Sequence, residues 1–186
     1  MKARDCSIMG VALYELTPNV DARGQFTEIF RESWETGFPK VQWNCVQSRK
    51  GVLRGVHVHA LHSDYLVVVA GILVLGLHDI RASSATSGQS EMIVSTAEKP
   101  VGIAIPPGVC HGFYFPVASV HVYAVSEYWN IDDELGCRFD CPELGLTWPD
   151  PQPLLSDRDA KAGDYLAMRA QYDRATMARS VGKERP

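Results

Sequence analysis

Three histidines and an aspartate fall within eight residues: His57, His59, His62 and Asp64. Imidazole exchanges its proton nearest to neutral pH, so such a cluster suits a general base; it suits a transition metal equally well. One histidine beside a strand is more often a satisfied structural residue. Two on one face, with Arg54 and Asp64 nearby, favour chemistry. His57 and His59 are two apart, so on a strand they share a face. Further on, Pro106-Pro107-Gly108 demands a rigid turn and delivers His111 at the start of a strand. From Ser119, alternation places His121, Tyr123, Val125 and Glu127 on one face, and Tyr123 can look into a cavity. An inward tyrosine is also common as plain core with its hydroxyl satisfied.

The elements that must hold these groups read as many short strands. Residues 65–70 are apolar and largely β-branched, which predicts a strand buried on both faces. Gly51, Gly55 and Gly71 punctuate the stretch where turns or close backbone approach are expected. Strands are also predicted over 11–16, 25–30 and 41–48, with a turn at 18–24 and one helical turn at 32–37. Arg23 and Glu28 bracket the second of these. After a hairpin turn at Ala70-Gly71 come strands over 72–81, 91–96 and 101–105, with a Ser/Thr/Gly loop at 82–90. Residues 132–136 and 142–148 read as loops. Helix formers at helical spacing predict a helix from 156 through 167 to 178, laid over the sheet. Short strands, Gly/Pro turns and only late helix argue an all-β fold, an antiparallel sandwich or barrel.

The chain of 186 residues is read as one domain over 1–176, followed by a flexible tail over 177–186. Eighteen basic against 22 acidic residues give a net charge of −4, and no basic run tracks a phosphate backbone, which argues against nucleic-acid binding. No apolar run reaches membrane-spanning length and no signal peptide is read at the start. Five irregularly spaced cysteines fit a reduced, cytoplasmic protein, with Cys137 and Cys141 structural.

Five ordered motifs resemble the dTDP-4-dehydrorhamnose 3,5-epimerase family, nucleotide-sugar epimerases built on a cupin-type jelly roll. They are Asp21-Ala-Arg23-Gly24-Gln-Phe26-Thr-Glu28, Lys50-Gly-Val-Leu-Arg54-Gly-Val-His57, Asp79-Ile-Arg81, Ile105-Pro106-Pro107-Gly108-Val-Cys-His111-Gly112-Phe113 and Leu155-Ser156-Asp-Arg-Asp159-Ala-Lys161-Ala. The resemblance runs from Val11 to about Asp164. It implies epimerisation of a 4-keto-6-deoxy sugar at C3, C5 or both, with a neutral His as base and an acid on the other face. By resemblance His57 is the base, Asp159 its partner and Tyr123 the acid. Gln42, Asn44 and Arg54 match positions that contact the diphosphate or sugar, Trp129 one near the nucleotide base, and His111 and Lys161 complete the implied binding set. Arg23, Phe26 and Glu28 match residues that a partner subunit contributes in a typically dimeric family. No organic cofactor is implied, since the substrate's own ketone accepts the electrons.

The chain departs from the family pattern at two places. Relatives usually carry Gln where His59 stands, and a Lys that steadies the enolate oxygen where Asp64 stands. An anion there opposes developing negative charge. The same residues also resemble the metal motifs of the wider cupin superfamily, with His57, His59, Asp64 and His111 as the ligand set for Zn²⁺, Fe²⁺ or Mn²⁺. The two readings compete for His57, because a metal-bound nitrogen cannot abstract a proton. A third reading is a nucleotide-sugar-binding protein without activity.

Overall fold

A computed structural model describes residues 3–183. In chain order the strands are β1 (Ala3–Asp5), β2 (Ala12–Glu15), β3 (Asn19–Asp21), β4 (Gly24–Phe26), β5 (Gln42–Ser48), β6 (Leu53–Val58) and β7 (Asp64–Ala70). They continue with β8 (Ile72–Asp79), β9 (Ser90–Thr96), β10 (Val101–Ile105), β11 (Val109–Tyr114), β12 (Ser119–Val125) and β13 (Leu135–Gly136). Helices α1 (Asp157–Ala160) and α2 (Tyr165–Lys183) follow.

Two antiparallel sheets stack face to face. One has the order β1-β2-β10-β7-β12-β5, the other β13-β6-β11-β8-β9, and β3-β4 is a separate hairpin. This is an antiparallel sandwich, one of the two architectures expected from the strand pattern, and the jelly roll that the resemblance implies. Leu66 and Val68 of β7 point into the shared interior with Leu13, Leu73, Leu75, Leu77, Ile103, Ile105 and Phe115. Their neighbours Tyr65 and Val67 point outward, beneath Ile29, Phe30, Trp34 and Phe38. That two-sided burial is why the strand carries no polar alternation. Each such aliphatic side chain contributes about 1.5–3 kcal/mol by leaving water.

The second sheet is covered on its outer face by α2, whose Met168 and Tyr172 pack on Val56, Val58, Ile80 and Cys110. The helix expected from residue 156 onward is broken in two. Ser156 caps α1 by accepting a hydrogen bond from the Asp159 amide, and Asp164 accepts from the Ala167 amide to start α2. Two capping residues so close together restart the helix rather than extend it. Of the expected tail, the part to Lys183 belongs to α2 and residues 184–186 lie outside the described residues. The strand expected over 25–30 is shorter, ending at Phe26, because 29–38 leaves the sheet to cover Tyr65. The stretch expected as one helical turn at 32–37 holds a turn closed by the Trp34 amide on the Arg31 carbonyl. No helix of the described residues is long and apolar enough to cross a membrane.

Candidate active site

His57 stands near the end of β6, paired with His111 of β11 on one side and Gly136 of β13 on the other. The strand reaches its neighbour unusually closely at Gly55, whose φ is +124°. A Cβ there would meet the Gly112 Cα at 2.8 Å and the His111 carbonyl oxygen at 2.9 Å. Only glycine fits, and the tight approach fixes where the strand delivers His57. The C-terminal segment is stitched to the start of the same strand. The Leu53 amide donates to the Leu154 carbonyl at 3.0 Å, and the Leu154 amide to the Gly51 carbonyl at 2.8 Å. Five residues later the capped turn of α1 sets Asp159 beside His57.

His57 Nε2 lies 2.7 Å from Asp159 Oδ1. With Nε2–H donated to that carboxylate, Nδ1 keeps its lone pair and accepts no hydrogen bond from the described residues. This is the arrangement of an oriented base. Asp159 is buried, which raises its carboxyl, but His57, Ser156 and the Gly55 amide outweigh that and hold it below the usual range. It is therefore an anion able to stabilise an imidazolium. Arg158 also reaches Nε2, at 2.6 Å through Nη2, while Nη1 and Nη2 lie 3.2 Å from Glu134 Oε2.

These groups line a cavity of about 490 Å³ together with Arg49, Arg54, Phe113, His121, Tyr123, Trp129 and Ser156. Tyr123 comes from β12 of the opposite sheet, so it faces the cavity from the other side of the sandwich from His57. Burial, then the carboxylates of Asp64 and Glu134, raise its phenol above the ordinary value, and it stays protonated at neutral pH. His121 is also buried, with its pKa pushed down to about 4 by desolvation and by Arg54, and its Nδ1 has no hydrogen-bond partner among the described residues. Arg54 donates through Nε to Ser48 Oγ at 3.0 Å, which holds its guanidinium on the wall.

A smaller cavity of about 70 Å³ lies against His59, His62, Asp64 and His111 and shares His57, Phe113, Tyr123, Trp129 and Glu134 with the larger one. Of the alternative metal set, His59 and Asp64 come together here with His62: their donor atoms lie within 4.8 Å of one another, and His57 and His111 are not in that group. The reason is that β6 ends at Val58 and the chain turns, so His59 faces His62 and the start of β7, while His57 is held by Asp159. The rings of His59 and His62 stack at 3.8 Å. Burial pushes His59 down to about 3 and lowers His111 strongly. Burial also pushes Asp64 up to about 7, the His62 charge opposing this.

The remaining sequence candidates are placed as follows. Gln42 and Asn44 share a face of β5, Gln42 donating to Asn44 Oδ1 at 3.0 Å and accepting from the Trp129 amide at 3.1 Å. They sit beside Trp129 rather than on the cavity wall. Lys161 closes α1 and is exposed, away from the wall. Arg23, Phe26 and Glu28 lie on or just after the exposed β3-β4 hairpin, outside the cavity, with Arg23 bridged to Asp21 at 2.6 Å. Arg158 and Glu134 escaped the sequence reading; His62 stood in the opening cluster but outside the assigned residues. Arg158 adjoins Asp159 and could have been suspected from that alone. Glu134 sits in a short loop with no pattern to mark it.

The family model described as dTDP-4-dehydrorhamnose 3,5-epimerase matches residues 5–166. The chain belongs to that family. It is 34% identical to the dTDP-4-dehydrorhamnose 3,5-epimerase of Mycolicibacterium smegmatis, over 87% of this chain and 85% of the relative. It is 31% identical to a dTDP-4-dehydro-6-deoxyglucose 3-epimerase of a Streptomyces species, over 84% of this chain and 85% of the relative. Among solved structures, the Mycobacterium tuberculosis epimerase superposes with a TM-score of 0.85 at 29% identity, covering 96% of this chain and 99% of that one. The Legionella pneumophila 3,5-epimerase in complex with dTDP-4-keto-L-rhamnose also gives 0.85 at 29% identity, covering 92% and 96%. Within this family the chain is an isomerase, and His57 and Tyr123 face one cavity from opposite sheets.

Proposed function

We propose that the chain epimerises a dTDP-linked 4-keto-6-deoxyhexose at C3, C5 or both. The observation that carries this reading is the His57–Asp159 pair on one sheet with Tyr123 on the other, around a cavity large enough for a hexose. The ketone makes the neighbouring C–H bonds acidic. His57 Nδ1 takes such a proton, the C–H electrons become the enolate, and Asp159 stabilises the imidazolium that results. Tyr123 gives a proton to the other face of the same carbon, inverting it. Its phenolate regains a proton from solvent and His57 returns one, so no cofactor is consumed. Arg54 pairs with the diphosphate or the sugar. Trp129, with Gln42 and Asn44 behind it, supports the nucleotide base. His111 and Lys161 complete the proposed binding set, His111 on the wall of the smaller cavity and Lys161 exposed at the end of α1.

In this reading the exposed hairpin completes a second copy's site. Arg23, Phe26 and Glu28 do not line the His57 cavity of their own chain, and Phe26 is 66% exposed. The chain therefore works as a homodimer. The test of the reaction is product analysis by NMR after incubation with dTDP-4-keto-6-deoxyglucose. Inversion at C3 alone, at C5 alone or at both is expected. Binding of the sugar nucleotide by calorimetry with no turnover would replace this reading with that of a binding protein.

A further inference from the structure

We infer that His59, His62 and Asp64 form a divalent transition-metal site at the floor of the sugar cavity, with His111 on its fourth side. Each of the three imidazoles has Nδ1 tied to an oxygen. His59 Nδ1 lies 3.1 Å from the Asp133 carbonyl, His62 Nδ1 2.8 Å from Asp133 Oδ2, and His111 Nδ1 3.1 Å from the Val109 carbonyl. Carbonyl oxygens only accept, so Nδ1 of His59 and His111 carries the proton and Nε2 the lone pair; the Asp133 carboxylate likewise takes the Nδ1–H of His62. Imidazole ligands of metals are oriented in this manner from behind.

All three Nε2 atoms turn towards one carboxylate. His59 Nε2 and His111 Nε2 lie 3.7 and 3.9 Å from Asp64 Oδ2, and His62 Nε2 lies 3.9 Å from Oδ1. None of these is a hydrogen bond, and neither Asp64 oxygen accepts one from the described residues. The buried Asp64 carboxylate faces the lone pairs of His59 and His111; the His62 charge offsets part of that, and a metal cation among the donor atoms would offset it further. The spacing fits that cation. Nitrogen and oxygen ligands at about 2.1 Å in a tetrahedron stand about 3.4 Å apart, slightly closer than the separations seen. Imidazole nitrogens with one carboxylate oxygen suit Zn²⁺ first, and Fe²⁺, Mn²⁺ or Co²⁺ as well.

All four residues are at most 5% exposed, and the adjoining cavity of about 70 Å³ has room for water or a substrate oxygen on the open side. The cavity shares His57, Tyr123 and Glu134 with the larger one, so the ion's charge would stand in the same bay as the reacting sugar. There a cation would offset the Asp64 carboxylate and stabilise enolate charge. That consequence rests on the proposed function; the site itself does not.

The experiment is metal titration of the full chain, made without a histidine tag and stripped with chelator. Zn²⁺ is followed by competition with a chromophoric chelator and Co²⁺ by its visible absorption. About one equivalent should bind, with the intense visible bands of a low-coordinate cobalt site. His62→Gln and Asp64→Asn should each weaken binding about 100-fold, while His57→Gln retains it. Circular dichroism checks each fold, and the two ligand variants are independent should one fail to fold. Binding far below one equivalent, or binding untouched by both ligand variants, overturns the site. Equal loss in His57→Gln also overturns it. None of these readings depends on turnover, so failure of the site and failure of the proposed reaction are separable.

Discussion

At His57 two side chains meet one nitrogen: Asp159 Oδ1 at 2.7 Å and Arg158 Nη2 at 2.6 Å. A guanidinium only donates and a carboxylate only accepts, so Nε2 cannot serve both. The base is oriented when Nε2–H goes to Asp159, and Arg158 then rests its charge on Glu134. Asp159→Asn keeps the shape but removes the charge that steadies the imidazolium. It should lower kcat by ~10²–10⁴-fold in a coupled assay of turnover, in a variant whose fold is checked by circular dichroism. Tyr123→Phe separates the two half-reactions. Proton exchange at the carbon taken by His57 should survive while inverted product falls by ~10²–10⁴-fold. Unchanged product from this variant would place the acid elsewhere. His57, Asp159 and Tyr123 were legible because motif order and strand alternation mark them. His62 was not assigned, since its role depends on the turn after Val58 that no local pattern announces.

Among the elements, β6 and the capped turn at 156–160 do the positioning. Gly55 is the point where they depend on backbone alone, with its φ of +124° and Gly112 beneath it. Gly55→Ala should destabilise by about 1–3 kcal/mol, a fall in Tm of several degrees in a thermal melt, and should lower turnover more than sugar-nucleotide binding. An unchanged Tm would mean that β6 and β11 do not meet as closely as described. The strands were legible because apolar runs and Gly/Pro turns carry their signal locally. The long C-terminal helix was drawn too far forward, because Ser156 and Asp164 act as caps through specific hydrogen bonds that composition does not reveal.

For the molecule as a whole, the loop at 82–90 is tied down by Asp79, which is fully buried. Its carboxylate accepts from Arg81 Nε at 2.8 Å, Ser84 Oγ at 2.5 Å and Thr86 Oγ1 at 2.6 Å. Burial raises this carboxyl, but those hydrogen bonds outweigh it and hold it well below the usual range. A carboxyl with a depressed folded pKa stabilises the fold above its unfolded value of about 3.9 and loses that contribution as pH falls towards the folded pKa. The stability gap between the parent chain and Asp79→Asn should therefore be largest at pH 7 and shrink below about pH 4, read from urea melts. A gap independent of pH would show that Asp79 is not ionised in the folded state. The two-sheet sandwich was foreseeable from strand count and late helix. The proposed pairing of copies rests on resemblance, because an exposed hairpin does not by itself name its partner. Phe26→Ala should raise KM about tenfold with kcat nearly kept if a second chain uses that ring. Light scattering of the same sample should give twice the chain mass.

Proton abstraction by His57 next to a sugar ketone is the centre of this account, and solvent isotope uptake tests it most directly. The chain is incubated with dTDP-4-keto-6-deoxyglucose in heavy water, and deuterium at C3 and C5 is read by NMR and mass spectrometry. Label should enter at least one of these carbons many-fold faster than in a His57→Ala control whose fold is intact. Uptake no faster than in that control would contradict the assignment of His57 as the base.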